Sequence, residues 1–199
     1  ANCKDSLLSV KGSIKDTCWY EWGTVARYAF DYFISLPFVT EIGGIGTGEA
    51  ATVLWHLASV EKRLKCAAFI KNCGWLAYSG RFKFSGIPDA DFGDDILKFV
   101  AGVEPQTYAA HITCPTMLLV PTNCRRFDVD RAYDTISRIK DGVYCLMDYS
   151  VKFREYVSHE EIKNCALFFD KYLRNANVYL PAKTEISGET ENGYLKITV

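Results

Sequence analysis

The 199-residue sequence has almost no net charge, because 23 Lys and Arg residues nearly balance 24 Asp and Glu residues. Such a balance gives no indication of a protein that binds nucleic acid or an acidic membrane surface. No apolar run is long enough to cross a bilayer, and no basic segment followed by an apolar one predicts a signal peptide. Since the chain begins at Ala1, we expect a fragment or a processed product, whose compartment the sequence does not indicate.

The sequence also lacks the cysteine spacings that are typical of metal-binding and redox motifs. None of the eight cysteines forms a Cys-x-x-Cys motif, which excludes the common zinc and thioredoxin-like patterns. Several cysteines lie in apolar segments, as Cys145 does, and the prediction is that they are small buried residues in a reducing compartment. Disulfide pairing is the alternative. No cofactor and no metal is predicted.

The order of patterned segments predicts strands that alternate with helices. Near-continuous apolar runs at 66–70 and 116–120 are typical of strands buried on both faces of a parallel sheet. A further strand is expected at 143–147, and a Ser-x-x-Glu capping box at Ser158 begins the last helix. The fold class is therefore predicted as α/β, a mainly parallel sheet with helices on both faces.

Two other segments complete this prediction. Residues 24–36 have helical spacing, with one apolar face that consists of Val25, Tyr28, Ala29, Tyr32 and Phe33. The end of the chain holds two strand-like pieces around a Glu-Asn-Gly turn. We therefore divide the chain into a main domain over 1–177 and a short β-hairpin-like extension over 178–199.

A glycine-rich stretch lies between a predicted strand at 38–42 and a predicted helix at 49–65. Such a junction places backbone N–H groups at a helix N-terminus, where anions and oxyanions are stabilised. Residues 44–48 fit the nucleophile-elbow pattern G-x-S-x-G, except that glycine stands at the serine position. The predicted elbow and oxyanion backbone, with Gly46 at its tip, consists of Gly44, Gly46, Thr47 and Gly48.

This stretch and three later segments resemble, in order and spacing, parts of α/β-hydrolases, especially acetyl-xylan-esterase-like hydrolases of carbohydrate-degrading bacteria. The later segments are 67–75, Cys114 to Cys124, and the helix from His159 to Leu173. The resemblance covers about residues 12–199. It implies a partial α/β-hydrolase fold, the C-terminal part of the family's fold, with the first half of the sheet missing from this chain.

Carried over position by position, the resemblance implies a degenerate catalytic triad. Gly46 replaces the serine, and Cys124 stands where the acid should follow Asn123. The loop at 148–156, which should supply the histidine, contains none. A serine hydrolase needs a nucleophile, a base and a group that orients the base, so this pattern does not support catalysis by the chain alone.

Weak substitutes for the triad remain. Thr47 has a hydroxyl, but it is predicted one residue past the tip, with a β-branched side chain that tolerates strain badly. His159 is the nearest candidate base in sequence, although it lies at the start of a capped helix. His56 and His111 are expected to be structural. Cys124, beside two arginines, would be a reactive thiol only with a histidine to activate it.

Other glycine-loop functions fail on spacing. Glu49 follows Gly48, where a P-loop needs lysine and where a dinucleotide-binding G-x-G-x-x-G needs its third glycine. Trp19, Trp22 and Trp75 flank predicted loops near the expected mouth of the site. They could stack on sugar rings, and buried packing is the alternative.

Three functions stay open from the sequence. The favoured one is a degenerate domain that binds a carbohydrate or ester ligand, or serves as a scaffold, inside a larger protein. The second is part of an active carbohydrate esterase, completed by residues outside this chain. The third is an interaction domain whose sheet edge pairs with a second copy or with a partner segment. Neither nucleic acid nor a membrane is an expected partner.

Overall fold

The computed structural model describes residues 7, 8, 10, 12–77, 95–124, 129–150, 156–180, 187–191 and 194–198. Its centre is a four-stranded sheet in which every neighbouring pair is parallel and the strands follow sequence order. The strands are β1 (Gly43–Thr47), β2 (Cys66–Ile70), β3 (Thr116–Pro121) and β4 (Cys145–Ser150). The predicted α/β class with a mainly parallel sheet is confirmed.

Six helices surround this sheet in the described residues. They are α1 (Cys18–Ile34), α2 (Glu49–Val60), α3 (Ile96–Gly102), α4 (Pro105–Tyr108), α5 (Val129–Ser137) and α6 (His159–Leu173). Near the end of the chain, β5 (Ser187–Glu191) pairs with β6 (Tyr194–Thr198) as an antiparallel hairpin. Within the described ranges, no helix combines the length and apolar character that a membrane span requires.

Both faces of the sheet are covered, as the apolar runs predicted. Ala67 and Phe69 of β2 face a core that includes Trp55 of α2, whose ring stacks on Phe69 at 3.7 Å. Alternate residues of the same strand, such as Ala68 and Ile70, face a second core that includes Phe168 of α6. This two-sided burial explains why the strand has no polar alternation.

Four buried cysteines belong to these cores. Cys66 and Cys165 lie on the α6 side of the sheet, and Cys73 and Cys114 lie in the core on the α2 side. Burial raises the pKa of Cys66 and of Cys165 to about 12, and that of Cys114 to about 11. These thiols are therefore unreactive apolar groups near neutral pH, as predicted.

The strand predicted at 38–42 is wrong, because β1 is the glycine-rich stretch itself. Close packing explains why glycines form it. A Cβ at Gly44 would lie 2.4 Å from Leu54 of α2, and one at Gly43 would lie 2.9 Å from Phe169 of α6. A Cβ at Gly46 would lie 2.7 Å from the carbonyl oxygen of Ala50. The backbone of α2 therefore lies directly against β1, and side chains of α6 pack on its other face.

The first helix differs from the prediction in extent and orientation. It begins at Cys18 rather than at residue 24, with the Thr17 side chain as its N-cap. Its buried face holds Trp19 and Phe30, whereas the face expected to be buried is exposed, with Tyr28 at 71%. Two apolar faces exist on this helix, and the sequence does not show which of them contacts α2.

We expect Gly46→Ala to destabilise the fold by about 1–3 kcal/mol, because the new methyl group meets backbone atoms that cannot rotate away. The matched control is Gly23→Ala in α1, where a Cβ meets nothing within 4 Å. That control should gain about 0.5–1 kcal/mol from helix propensity. Urea denaturation measures both changes, and equal midpoints would contradict the packing of α2 on β1.

Candidate functional site

The sharp corner between β1 and α2 lies at Gly48. Its backbone has φ +55° and ψ −126°, in the left-handed half of conformational space that glycine tolerates best. The Gly48 N–H donates to the Ile70 carbonyl at 3.1 Å, and the Gly48 carbonyl accepts from the Ala51 N–H at 3.0 Å. The strand therefore ends, turns and becomes a helix within one residue.

This corner is two residues later than predicted. Gly46 is buried inside β1, and Thr47 is the last strand residue before the tip, so it does not follow the tip. Aligned on the corner, the elbow motif runs from Gly46 to Ala50, and Gly48 occupies the serine position. Ala50 then replaces the final glycine of the motif. Glu49, and not Thr47, supplies the N–H directly after the tip.

Space is open at the tip. A Cβ built on Gly48 would have no heavy atom within 4 Å, in contrast to one at Gly44 or Gly46. A side chain at this position would project away from the packed sheet, as a nucleophile must. Gly48, at the serine position of the motif, therefore has open space for a side chain but has no side chain.

Asn72, two residues after β2, holds the corner in place. Its Nδ2 donates to the Gly48 carbonyl at 2.8 Å and to Oγ1 of Thr52 at 2.9 Å, and its Oδ1 accepts from the Gly74 N–H at 3.0 Å. The Asn72 carbonyl accepts from Nε1 of Trp55 at 3.1 Å. One side chain thus joins the tip, α2 and the turn after β2.

Lys71 forms a buried ion pair at the same edge of the sheet. It has φ +58°, and its Nζ lies 3.0 Å from Oε2 of Glu161 and donates to the Tyr156 carbonyl at 2.7 Å. The same Glu161 oxygen accepts from the Ser158 N–H at 2.7 Å, within the predicted capping box. The pair therefore ties the end of β2 to the start of α6.

The turn after β2 is fixed by the buried side chains of Glu104 and Gln106, which follow α3 in the sequence. Gly74 and Trp75 have φ values of +87° and +64°. Glu104 accepts from the Ala77 N–H at 2.8 Å, and Gln106 accepts from the Trp75 N–H at 3.2 Å. Burial raises the pKa of Glu104, although backbone N–H groups oppose that shift. Oε2 of Glu104 lacks a hydrogen-bond partner among the described residues.

The predicted tryptophans serve as packing in this structure. Trp19 is buried in α1, its Nε1 donates to the Leu7 carbonyl, and Trp22 packs edge-on against it. Both residues lie in a helix, so the loop predicted for them is wrong. Trp75 is also buried, and its Nε1 donates to Thr135 at 2.7 Å. The guanidinium groups of Arg131 and Arg138 both lie over the Trp75 ring.

The weak catalytic candidates lie on separate elements of the described structure. Cys124 is half-buried in the turn after β3, where its N–H donates to the Pro121 carbonyl. His159 is exposed in the first turn of α6. His56 is half-buried in α2, where its Nε2 lies 2.8 Å from the Val103 carbonyl and burial lowers its pKa. Arg125, Arg126 and residues 151–155 lie outside the described residues.

Asn72, Lys71 and Glu104 are the site residues that sequence reasoning missed. The signal for the first two was a polar pair directly after a buried strand, at the edge where parallel sheets bind ligands. Glu104 gave no comparable signal, because its partners are backbone groups of a distant turn.

The parallel sheet, the corner at Gly48 and the helices on both faces define a partial α/β-hydrolase fold. The acetyl xylan esterase of Paenibacillus sp. R4 is similar in structure, with a TM-score of 0.65 at 9% identity over 80% of this chain. Est1E of Butyrivibrio proteoclasticus, solved with ferulic acid, has a TM-score of 0.60 at 15% identity over 80% of this chain. The acylaminoacyl peptidase of Pyrococcus horikoshii has a TM-score of 0.61 at 16% identity over 80%.

These similarities are structural and partial. The chain spans 54% of the acetyl xylan esterase, 71% of Est1E and 29% of the peptidase. No protein-family model matches the chain, and no curated protein matches it in sequence. At such low identity, the comparisons establish the fold only, and any activity must be argued from the residues of the site.

Replacing Lys71 by methionine should cost about 3–5 kcal/mol, because it leaves the Glu161 carboxylate buried without its counter-ion. The control is Lys65→Met, whose pair with Glu41 is partly exposed and should contribute less than about 1 kcal/mol. Adding Glu161→Gln to Lys71→Met should recover part of the loss, since glutamine also fits a capping box. Chemical denaturation of the four proteins tests this, and equal effects at Lys71 and Lys65 would contradict the pair's burial.

We expect Glu104 to make stability depend on pH. Because burial raises the folded-state pKa above the ordinary 4.5, the folded chain keeps a proton that the unfolded chain has lost. Stability should therefore fall as the pH rises from about 4.5 through the folded-state pKa. In Glu104→Gln this fall should be smaller, and denaturant midpoints from about pH 5 to pH 8 measure it. Parallel curves for the two proteins would contradict a raised pKa.

Proposed function

We propose that this chain is a catalytically degenerate α/β-hydrolase-like domain that acts as a binding or structural module. The observation that carries the proposal is glycine at the tip of an otherwise intact elbow. Gly48 has the positive-φ backbone and the open space of a nucleophile position, yet it has no atom that could attack a carbonyl. The other triad positions, Cys124 and the histidine-free segment 148–156, point the same way.

Glycine at position 48 also explains how the corner could persist after catalytic activity was lost. A residue with a side chain in a sparsely populated conformation costs about 1–3 kcal/mol, which structures retain where function requires it. Glycine removes that cost, while Asn72 still holds the turn through the Gly48 carbonyl. This supports the interpretation that the corner between β1 and α2 was retained for binding or scaffolding after catalysis was lost.

The ligand class we propose is a carbohydrate or its ester. Support comes from relatives of known structure whose names specify acetyl xylan and bound ferulic acid. The chain's own contribution would be backbone N–H groups at the start of α2, from Glu49 onward, which favour a carbonyl oxygen or an anion. The buried state of Trp19 and Trp75 argues against indole stacking as the means of recognition.

A second candidate is part of an active carbohydrate esterase completed by residues outside this chain. The coverage of 54% of the acetyl xylan esterase supports it. This candidate predicts that a fluorophosphonate probe labels a longer parent protein or a complex that contains this chain. A third candidate, an interaction domain, is supported by β1, which lies at a sheet edge and exposes 57% of Ile45.

The proposal is tested with p-nitrophenyl acetate and the variant Gly48→Ser. Both the wild type and Gly48→Ser should hydrolyse the ester no faster than buffer, because the segment 148–156, where the family's histidine is expected, contains none. The matched control is Gly142→Ser, another glycine with positive φ and open space around its Cβ. Both variants should lose about 1–2 kcal/mol of stability from the left-handed backbone.

Two results would contradict the proposal. One is hydrolysis by the wild type that a substitution at the corner abolishes. The other is hydrolysis or fluorophosphonate labelling that appears in Gly48→Ser and not in Gly142→Ser, since that requires a working base beside the tip. Chemical-shift changes at Gly48 and Glu49 on addition of acetylated xylo-oligosaccharides would support the proposed ligand class, and their absence would leave scaffolding as the role.

A further inference from the structure

The turn after β2 has a strained backbone. Trp75 has φ +64°, a value that a bulky side chain tolerates badly, and it directly follows Gly74 at φ +87°. A residue with a side chain in this conformation costs about 1–2 kcal/mol, and it persists only where the surrounding structure holds it. The turn is therefore a segment that is expected to move once the contacts that hold it are lost.

The backbone of this turn is held by two buried side chains. Gln106 Oε1 accepts from the Trp75 N–H at 3.2 Å. Glu104 Oε1 accepts from the Ala77 N–H at 2.8 Å, and Glu104 is 0% exposed. A change in the Glu104 side chain therefore acts directly on a strained stretch of main chain.

The second carboxyl oxygen of Glu104 is shut off from solvent. Oε2 lacks a hydrogen-bond partner among the described residues, and it lies 2.9 Å from the point that a Cβ of Gly74 would occupy. A buried carboxylate is strongly disfavoured unless it is paired or hydrated. Because the turn lies against Oε2, hydration of an ionised Glu104 requires the turn to move. Burial raises the pKa of Glu104 for the same reason.

Charged and titratable groups on the surrounding helices are directed elsewhere. They are His56 of α2, which contacts the Val103 carbonyl, Lys98 of α3, which pairs with Asp95, Tyr108 of α4, which donates to the Gly102 carbonyl, and Arg131 and Arg138 of α5, which lie over the Trp75 ring. Among the described residues, none of these groups forms an ion pair or a hydrogen bond with Glu104. A bound proton is therefore what keeps this carboxyl neutral.

One side chain joins the turn to the corner. The Gly74 N–H donates to Oδ1 of Asn72 at 3.0 Å, and Nδ2 of Asn72 donates to the Gly48 carbonyl at 2.8 Å. We propose that Glu104 is a proton-dependent latch, which holds the turn after β2 while it is neutral and releases the turn, and through Asn72 the corner at Gly48, when it ionises. Since ionisation follows a rise in pH, the latch is closed at low pH and opens as the pH increases.

This inference goes beyond the proposed function, because it concerns how the geometry of the corner responds to pH and does not require the corner to bind a ligand. A failed ligand titration therefore leaves the latch standing, and a failed pH titration leaves the proposed function standing.

Heteronuclear NMR of the backbone amides, recorded on the full chain between about pH 5 and pH 9, tests the latch. We expect the amide signals of Trp75, Ala77 and Gly48 to shift with one common midpoint. In Glu104→Gln this transition should be lost, because the new side chain still accepts from the Ala77 N–H and cannot ionise. The matched control is His56→Gln, which removes another titratable group of the same region and should keep the transition.

The connection to the corner has its own variant. Asn72→Ala should keep the transition at Trp75 and Ala77 and lose it at Gly48, since it removes the bonded path between the turn and the tip. A transition at Gly48 that survives in Glu104→Gln would overturn the proposal, as would the absence of any transition in the wild type. If Glu104→Gln does not fold, carbon NMR of the Glu104 carboxyl in the wild type decides, and a midpoint different from that of the Gly48 amide would overturn the latch.

Discussion

The structure depends on how closely α2 approaches β1 and on the amide of Asn72 that locks this approach. Gly44 and Gly46 remove the side chains that would separate helix from strand, and the Gly48 carbonyl then accepts from Asn72. Because that amide also bonds Thr52 and the Gly74 N–H, the position of α2, the tip and the turn after β2 are set together. A side chain at Gly44 or Gly46 would therefore displace α2.

A fold with this corner is suited to acyl-transfer chemistry, and in this chain glycine stands at the corner. The corner requires positive φ at the tip, and glycine supplies it with no strain. What persists is a helix N-terminus presented at the carboxyl edge of a parallel sheet, where the main chain favours oxygen atoms whether or not a nucleophile is present. The fold alone does not specify an activity, as is general for widely reused folds.

The sequence predicts the sheet well and the corner poorly, for a physical reason. The bounds of β2 are correct because a fully apolar run ends at a lysine on each side, and the capping box fixes the start of α6 by local hydrogen bonds. The predicted position of the corner was wrong because glycines carry no side-chain pattern. Only the contacts of the glycines with α2 show at which glycine the chain turns. The partners of Lys71 and Glu104 are likewise distant in sequence, and the buried side of α1 was ambiguous because both of its faces are apolar.

The order of the strands has a consequence for how the chain folds. Each strand pairs with the next one along the sequence, so the sheet needs no strand to be inserted between two others. Contacts between consecutive βα units close shorter loops than a rearranged order would, which lowers the entropic barrier to collapse. In this process β2 and β3, which are buried on both faces, bury more side-chain surface than the glycine-rich β1 does.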